Sequence, residues 1–132
     1  YAKDDNITIQ TDFSSNSTVM DADLLITDWS DISFEYAFTT LKPVLFIDTP
    51  MKIMNPEYDK IERKPINVTL RNVIGKAISV NDIDNILEIS TDMLKQKDMY
   101  RKQIADAREK HIFNIGKSRI LSGKYIMKRL ME

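Results

Sequence analysis

The sequence predicts an α/β protein that is built on a parallel β-sheet and completed by C-terminal helices. Two apolar runs, at residues 24–27 and 44–47, are typical of strands buried on both faces. Between them, residues 31–41 place their apolar side chains three and four positions apart, which is the spacing of one helix face. A strand, a helix and a second strand form a βαβ unit with parallel strands.

Further elements extend this unit in both directions. Residues 7–10 alternate between apolar and polar side chains and predict a short strand, and residues 73–78 predict a last one. A helix opening at Asn81 or Asp82 and two more helices, at about residues 98–111 and 118–130, follow. We therefore expect one domain over residues 1–132, with a βαβ core at 1–80 and a helical extension at 81–132.

Residues 49–72 are irregular and hold three of the four prolines. A loop of this length inside a compact domain often has a function. An ordinary surface loop without a function explains the composition equally well. From the sequence, a functional loop and an ordinary surface loop therefore both stay open.

Composition excludes several classes of function. The net charge of −1 argues against a general nucleic-acid binder, although a local basic cluster would still suit one phosphate. With no cysteine and one histidine, the chain offers no disulfide and no recognisable set of metal ligands, and we predict no metal or cofactor. No apolar run approaches the about 20 residues that span a bilayer, and we expect a cytoplasmic location.

The stretch "TDWSDIS" at residues 27–33 stands where the first strand of the unit ends and its helix begins. Ligands of open α/β sheets bind outside the carboxyl ends of the strands, and a helix N-terminus favours anions. Ser30 and Ser33 could donate to a phosphate, whereas the charge of Asp31 would repel one. The alternative is that Ser30 or Asp31 only caps the helix. No glycine precedes Gly75, so this is not a glycine-rich phosphate loop.

The segment "DADLLITDWSDISFEYAFTTLKPVLFID" resembles the bacterial CDP-glycerol glycerophosphotransferases, enzymes of teichoic-acid assembly, whose C-terminal domains carry a pattern close to "AD-x-LITDYSS-x-x-FDYA-x-x-x-KP-x-x-F". Trp29 replaces the tyrosine of this pattern, Asp31 its second serine and Glu35 its aspartate. The resemblance is specific over residues 22–47 and continues more weakly to about residue 86. Arg63 matches a family arginine, with Lys64 in place of the glycine that follows it.

This resemblance implies a Rossmann-like domain that forms the C-terminal, donor-binding half of a GT-B fold, with the N-terminal acceptor domain absent from this chain. By likeness to similar segments in UDP-sugar epimerases of that fold, residues 27–33 would approach the donor's pyrophosphate and Glu35 would bind the ribose hydroxyls; the alternative is that Glu35 only faces solvent. By their own chemistry, Arg63 and Lys64 could clamp phosphate together with Lys60 and Arg71, or these residues could form an ordinary charged loop. A catalytic histidine is expected in the N-terminal domain, and none is assigned here. The predicted substrate-binding residues are Thr27, Asp28, Trp29, Ser30, Asp31, Ser33, Glu35 and Arg63.

The resemblance implies transfer of glycerol phosphate, or a related polyol or sugar phosphate, from a CDP donor to a hydroxyl of a cell-surface polymer. The acceptor polymer would bind through the N-terminal domain. One alternative is a nucleotide-sugar glycosyltransferase or UDP-sugar epimerase of the same fold, although the glycine pair usual after its serine is missing. Another is a non-catalytic module that binds a partner or, peripherally, the cytoplasmic membrane face, because the last helix is basic at Lys117, Arg119, Lys124, Lys128 and Arg129.

Overall fold

Three parallel strands form the sheet of the protein, as described by a computed structural model for residues 4–12, 17–51, 53 and 55–132. The strands are β1 (Leu25–Thr27), β2 (Val44–Asp48) and β3 (Gly75–Ser79), and they lie side by side in that order. Thr27 pairs with Phe46, and Asp48 pairs with Ser79, so the three carboxyl ends share one edge of the sheet. The predicted α/β class with a parallel sheet is confirmed.

Seven α-helices accompany this sheet among the described residues. The βαβ helix begins directly after Asp31 and ends at Thr40, where Leu41 adopts a left-handed conformation (φ 58°) and its N–H bonds the Ala37 carbonyl. The helices are α1 (Ser17–Asp21), α2 (Ile32–Thr40), α3 (Ile66–Thr69), α4 (Arg71–Ile74), α5 (Ile86–Lys95), α6 (Lys97–His111) and α7 (Ser118–Met131).

One apolar core joins the sheet to most of these helices. Leu45 and Phe46 of β2 are almost fully buried, as the central position of that strand requires. Helices α5 and α6 contribute Met93, Tyr100 and Ile104 to the same cluster. The predicted helical extension is therefore packed on the βαβ unit as far as the end of α6, and α7 alone has every residue exposed.

Gly75 permits the close contact between β2 and β3. A Cβ atom at this position would lie 1.7 Å from the Val44 carbonyl oxygen, far inside any van der Waals contact. The strand pair β2–β3 therefore requires a residue without a side chain where β3 begins.

Tyr36 connects α2 to the segment that precedes β1 through a hydrogen bond. Its hydroxyl donates to the Ala22 carbonyl at 2.9 Å, and its ring is fully buried. The Lys42 ammonium donates to the same carbonyl at 2.8 Å. Burial, followed by the negative charge of Asp23, raises the pKa of Tyr36 to about 12, although a hydrogen bond with Thr40 opposes the shift.

Two strand predictions need correction. Residues 7–10 form no strand, and Ile7 and Ile9 are 42% and 61% exposed, because an alternating pattern does not supply a neighbouring strand to pair with. The first strand of the unit is present, but Ile26 is 45% exposed. As an edge strand, β1 is not buried on both faces.

Two further predictions, about the segments on either side of β3, also need correction. Residues 49–72 are not irregular throughout, since they contain a 3₁₀ turn (Tyr58–Lys60) as well as α3 and the start of α4. Neither Asn81 nor Asp82 opens the next helix. The Ser79 hydroxyl instead accepts from the Asn81 N–H and starts a 3₁₀ segment (Val80–Asn85) that leads into α5.

Candidate functional site

The carboxyl edge of the sheet carries a polar cluster between β1 and β2. The chain leaves β1 at Thr27, turns through residues 28–31 and enters α2, while β2 ends beside it at Asp48. Helix α4 lies just before β3 and brings Arg71 to the same edge. Three separate segments therefore meet where α/β proteins commonly bind their ligands.

The turn into α2 is held by short-range hydrogen bonds to its backbone carbonyls. The Ser33 N–H and hydroxyl both bond the Ser30 carbonyl, at 3.2 and 2.8 Å, and the Phe34 N–H bonds the Asp31 carbonyl at 3.0 Å. The side chain of Asp31 makes no capping hydrogen bond. The alternative that Asp31 serves as a side-chain cap is therefore not supported, and the carboxylate is exposed at the start of the helix.

Arg71 lies between two aromatic rings at this edge. Its guanidinium carbon is 3.7 Å from the centroid of the Trp29 ring and 4.7 Å from that of Phe46. Trp29 is fixed in turn, because its indole N–H donates to the Thr49 carbonyl at 2.7 Å. This stacking buries a permanent cation, and Arg71 is only 5% exposed.

The charge of Arg71 is only partly compensated. Its Nη1 lies 3.4 Å from Asp48 Oδ1. Burial lowers the pKa of Arg71, and the charges of Asp48 and Asp28 oppose that shift. Within the described part of the chain, its three guanidinium nitrogens have no hydrogen-bond partner, and neither has the buried Asn67 Oδ1. Such unsatisfied buried groups are rare and mark strain or a missing ligand.

The two residues that carry these unpaired groups line a narrow cleft beside the start of α2. Asn67 and Arg71 line it together with Ser33, and the cleft has no room for a water molecule. Its remaining walls are Asp28, Trp29, Ser30, Phe34 and Phe46.

A larger groove of about 840 Å³ opens above the cleft and shares Trp29, Ser30 and Asn67 with it. This volume is in the range of small-molecule sites. Its apolar walls are Trp29, Met51, Ile53, Tyr58, Ile61 and Val68, and its charged residues are Asp31, Asp59, Glu62, Arg63 and Lys64. With three acidic and two basic side chains, the groove offers little general attraction for anions.

The predicted site residues divide among these features. Trp29, Ser30, Asp31 and Arg63 line the groove, and Asp28 and Ser33 line the cleft along with Trp29 and Ser30. The Ser33 hydroxyl is engaged by the Ser30 carbonyl, so a ligand would compete for it.

Two predicted residues line neither cavity. Thr27 is paired within the sheet at the end of β1. Glu35 is exposed on α2, outside both cavities, which does not favour the predicted ribose contact.

The sequence interpretation missed part of the cluster. Asp48 ends the strand next to β1, and its position after an apolar run was a usable signal. Arg71 was grouped with the loop cations near Arg63, although it alone is buried. Nothing local in the sequence distinguishes Asn67 as a buried amide.

The described residues contain neither a cluster of metal ligands nor a membrane-spanning helix. No group of three or more histidine, aspartate or glutamate side chains there is arranged to hold a metal ion. None of the described helices has the length and apolar character needed to cross a bilayer.

Comparison of the chain with protein-family models, with curated proteins and with solved structures found no match in any of the three. The fold and site define an α/β protein with a candidate ligand site at the carboxyl edge of a parallel sheet. A family assignment rests on the motif resemblance alone and is a proposal.

Proposed function

We propose that this chain is the donor-binding domain of a CDP-glycerol glycerophosphotransferase-type enzyme, which binds a nucleoside diphosphate donor at the start of α2. The motif of residues 22–47 supports the family. The observation that carries the proposal is the buried Arg71 guanidinium, whose donors lack hydrogen bonds beside that helix N-terminus.

A phosphate would complement this arrangement. Arginine binds a phosphate through paired N–H donors, and the first turn of a helix adds unpaired amides and a favourable dipole. Arg71 lies beneath Trp29, so the ligand must displace this ring or enter beside Asn67. Asp48 and Asp28 would compete with the phosphate, and we therefore expect weak binding to this chain alone.

The groove above the cleft would receive the rest of the donor. Its apolar walls suit a flat base, with Tyr58 and Ile61 exposed along them. Arg63 and Lys64 at its rim would offset Asp31, Asp59 and Glu62. A ribose contact by Glu35 would require this side chain to reach the groove from outside.

In the complete enzyme, the acceptor hydroxyl would attack the β-phosphorus of the donor. A new P–O bond would form, the bond from the β-phosphorus to the bridging oxygen would break, and CMP would leave with that oxygen. The hydroxyl proton would pass to a base that we assign to the N-terminal domain. The domain formed by the present chain would position the donor and stabilise the charge that develops during transfer. We propose that the reaction takes place in the cytoplasm, where the donor would be encountered.

Two-dimensional NMR titration of the chain with CDP-glycerol, CDP, UDP and UMP tests this proposal. We expect shifts in the amides of Trp29, Ser30 and Ser33 and in the Trp29 indole, larger for the cytidine ligands. A preference for UDP would favour the nucleotide-sugar alternative. The absence of shifts at millimolar ligand, or shifts confined to other surfaces, would contradict the proposed site.

A further inference from the structure

Helix α7 leaves its apolar face uncovered. Every residue from 113 to 132 is exposed. Along the helix, Ile120 and Met127 are 59% and 56% exposed, and Leu130 and Met131 are both 76% exposed. These four side chains fall on one face of the helix and form an apolar stripe that meets solvent. Three other exposed apolar residues lie outside this stripe, Ile126 beyond Arg119 and Leu121 and Tyr125 beyond the lysines.

The helix also concentrates the positive charge of the chain. Residues 117–132 carry five basic side chains and one acidic side chain, a net charge of +4. The other 116 residues carry fourteen basic and nineteen acidic side chains, a net charge of −5. A basic segment on an acidic body is attracted to an anionic surface that the body itself would avoid.

The basic residues border the apolar stripe. On the helical projection, Lys117, Lys124 and Lys128 lie along one edge of the stripe and Arg119 lies along the other. Long basic side chains in such places can keep their charges at a polar surface while their stems lie over apolar groups. An exposed apolar stripe bordered by basic residues is one feature of helices that lie in the plane of a membrane interface.

A second copy of the chain fits the stripe less well than a bilayer does. Fourteen helical residues extend for about 21 Å, and one face of such a helix covers on the order of 200 Å². A stable protein interface buries about 800 Å² on each partner. A lipid surface has no such threshold, because charge attraction and insertion of a few side chains add up along a continuous sheet.

We propose that α7 is an interfacial helix that binds the surface of an anionic phospholipid bilayer. Its apolar stripe enters the boundary between headgroups and acyl chains, and the flanking lysines and Arg119 pair with lipid phosphates. The proposal is independent of the donor site, since none of the residues named for that site lies in α7.

Sedimentation of the full chain with vesicles tests this proposal. Vesicles of phosphatidylcholine alone are compared with vesicles of equal parts phosphatidylcholine and phosphatidylglycerol, with and without added salt. We expect binding to the anionic vesicles only, weakened by salt. Each basic residue near such a surface raises the binding constant about five-fold. The double variant Lys124→Glu with Lys128→Glu should therefore weaken binding to the anionic vesicles at least about 25-fold.

Two further variants separate charge from insertion. Lys102→Glu with Lys110→Glu changes the net charge equally at exposed positions of α6 and should leave most of the binding intact. Met127→Ser with Leu130→Ser keeps every charge and should weaken binding at least about ten-fold. Unchanged thermal unfolding and helical circular dichroism would show that these variants keep the fold.

Three results would overturn the proposal. The first is the absence of binding to the anionic vesicles, and the second is equal binding to both vesicle types. The third is a doubled mass in light scattering that Leu130→Ser reduces to the monomer value, which would assign the stripe to a second copy of the chain.

Discussion

The guanidinium of Arg71 lies 3.7 Å from the centre of the Trp29 ring, and its nitrogens have no hydrogen-bond partner among the described residues. This pair joins two segments that are distant in the chain, the turn after β1 and helix α4. A buried cation without hydrogen bonds lowers stability, so its presence calls for a role beyond packing. We propose that this role is ligand binding.

Replacing Arg71 with methionine tests whether that side chain supports the fold. Methionine fills a similar volume and removes an incompletely paired buried charge, a change that is often neutral or stabilising. The variant also loses the cation–π contacts with Trp29 and Phe46, and this loss lowers the free energy of unfolding by up to about 2 kcal/mol. We expect a free energy of unfolding within about 1 kcal/mol of the native value in urea denaturation. A loss above about 3 kcal/mol would make Arg71 a structural residue.

Trp29→Phe separates the two contacts of the tryptophan. Phenylalanine keeps an aromatic ring near Arg71 but loses the indole N–H that donates to the Thr49 carbonyl. We expect the free energy of unfolding to fall by about 1 kcal/mol, with faster amide exchange around Thr49. Unchanged exchange there would mean that the indole does not anchor the segment after β2.

Tyr36 makes the stability of the protein sensitive to alkaline pH, and Tyr100, whose pKa is also raised by burial, adds to this sensitivity. Its pKa is raised from 10.0 to about 12 in the fold, so between these values the unfolded chain loses the proton first. The stability contributed by the protonated hydroxyl is complete below pH 10 and is lost as the pH rises towards about 12. Urea denaturation across this window should show the decline.

Tyr36→Phe should flatten that decline. At neutral pH this variant should lower the free energy of unfolding by about 1 kcal/mol through loss of one hydrogen bond. The loss stays small because the Lys42 ammonium still donates to the Ala22 carbonyl. Tyr125→Phe, at a tyrosine that is 61% exposed, is the matched control and should behave as the native chain. An equal alkaline decline in all three proteins would exclude Tyr36 as its source.

Two glycine substitutions should act in opposite directions. Gly75→Ala places a Cβ atom 1.7 Å from the Val44 carbonyl oxygen, and we expect a loss of at least about 3 kcal/mol as the strands separate. Gly123→Ala meets nothing within 4 Å in an exposed helix and should gain up to about 1 kcal/mol. Thermal unfolding measures both, and a tolerated Gly75→Ala would contradict the β2–β3 contact.

The sequence predicted the elements whose signals are local. The helix at α2 and the strand β2 follow from apolar spacing over a few residues, and β2 is buried on both sides as its pattern indicates. Residues 7–10 also carry a local strand pattern, an alternation of apolar and polar side chains, but no strand of the described part of the chain pairs with them, and pairing is a non-local property. For the same reason Ile26 was expected to be buried, although it lies on an edge strand.

The candidate site was predicted in its location but not in its chemistry. The carboxyl end of β1 is readable from the order of strand and helix, and Trp29, Ser30 and Asp31 do line the groove. Which arginine is buried cannot be read in the same way. Glu62 and Lys64 flank Arg63, whereas Arg71 stands in a more apolar stretch, between Leu70 and Val73. That difference favours burial of Arg71, but only the packing of α4 against the sheet establishes it.

Calorimetric titration of CDP into the native chain, Arg71→Met and Arg101→Met tests the central claim most directly. Arg101 is an exposed arginine of α6 and controls for the loss of one positive charge. We predict that Arg101→Met binds CDP like the native chain and that Arg71→Met binds at least about ten-fold more weakly, since charge-assisted hydrogen bonds to phosphate are lost. Equal binding by all three proteins would contradict the assignment of Arg71 to the donor site.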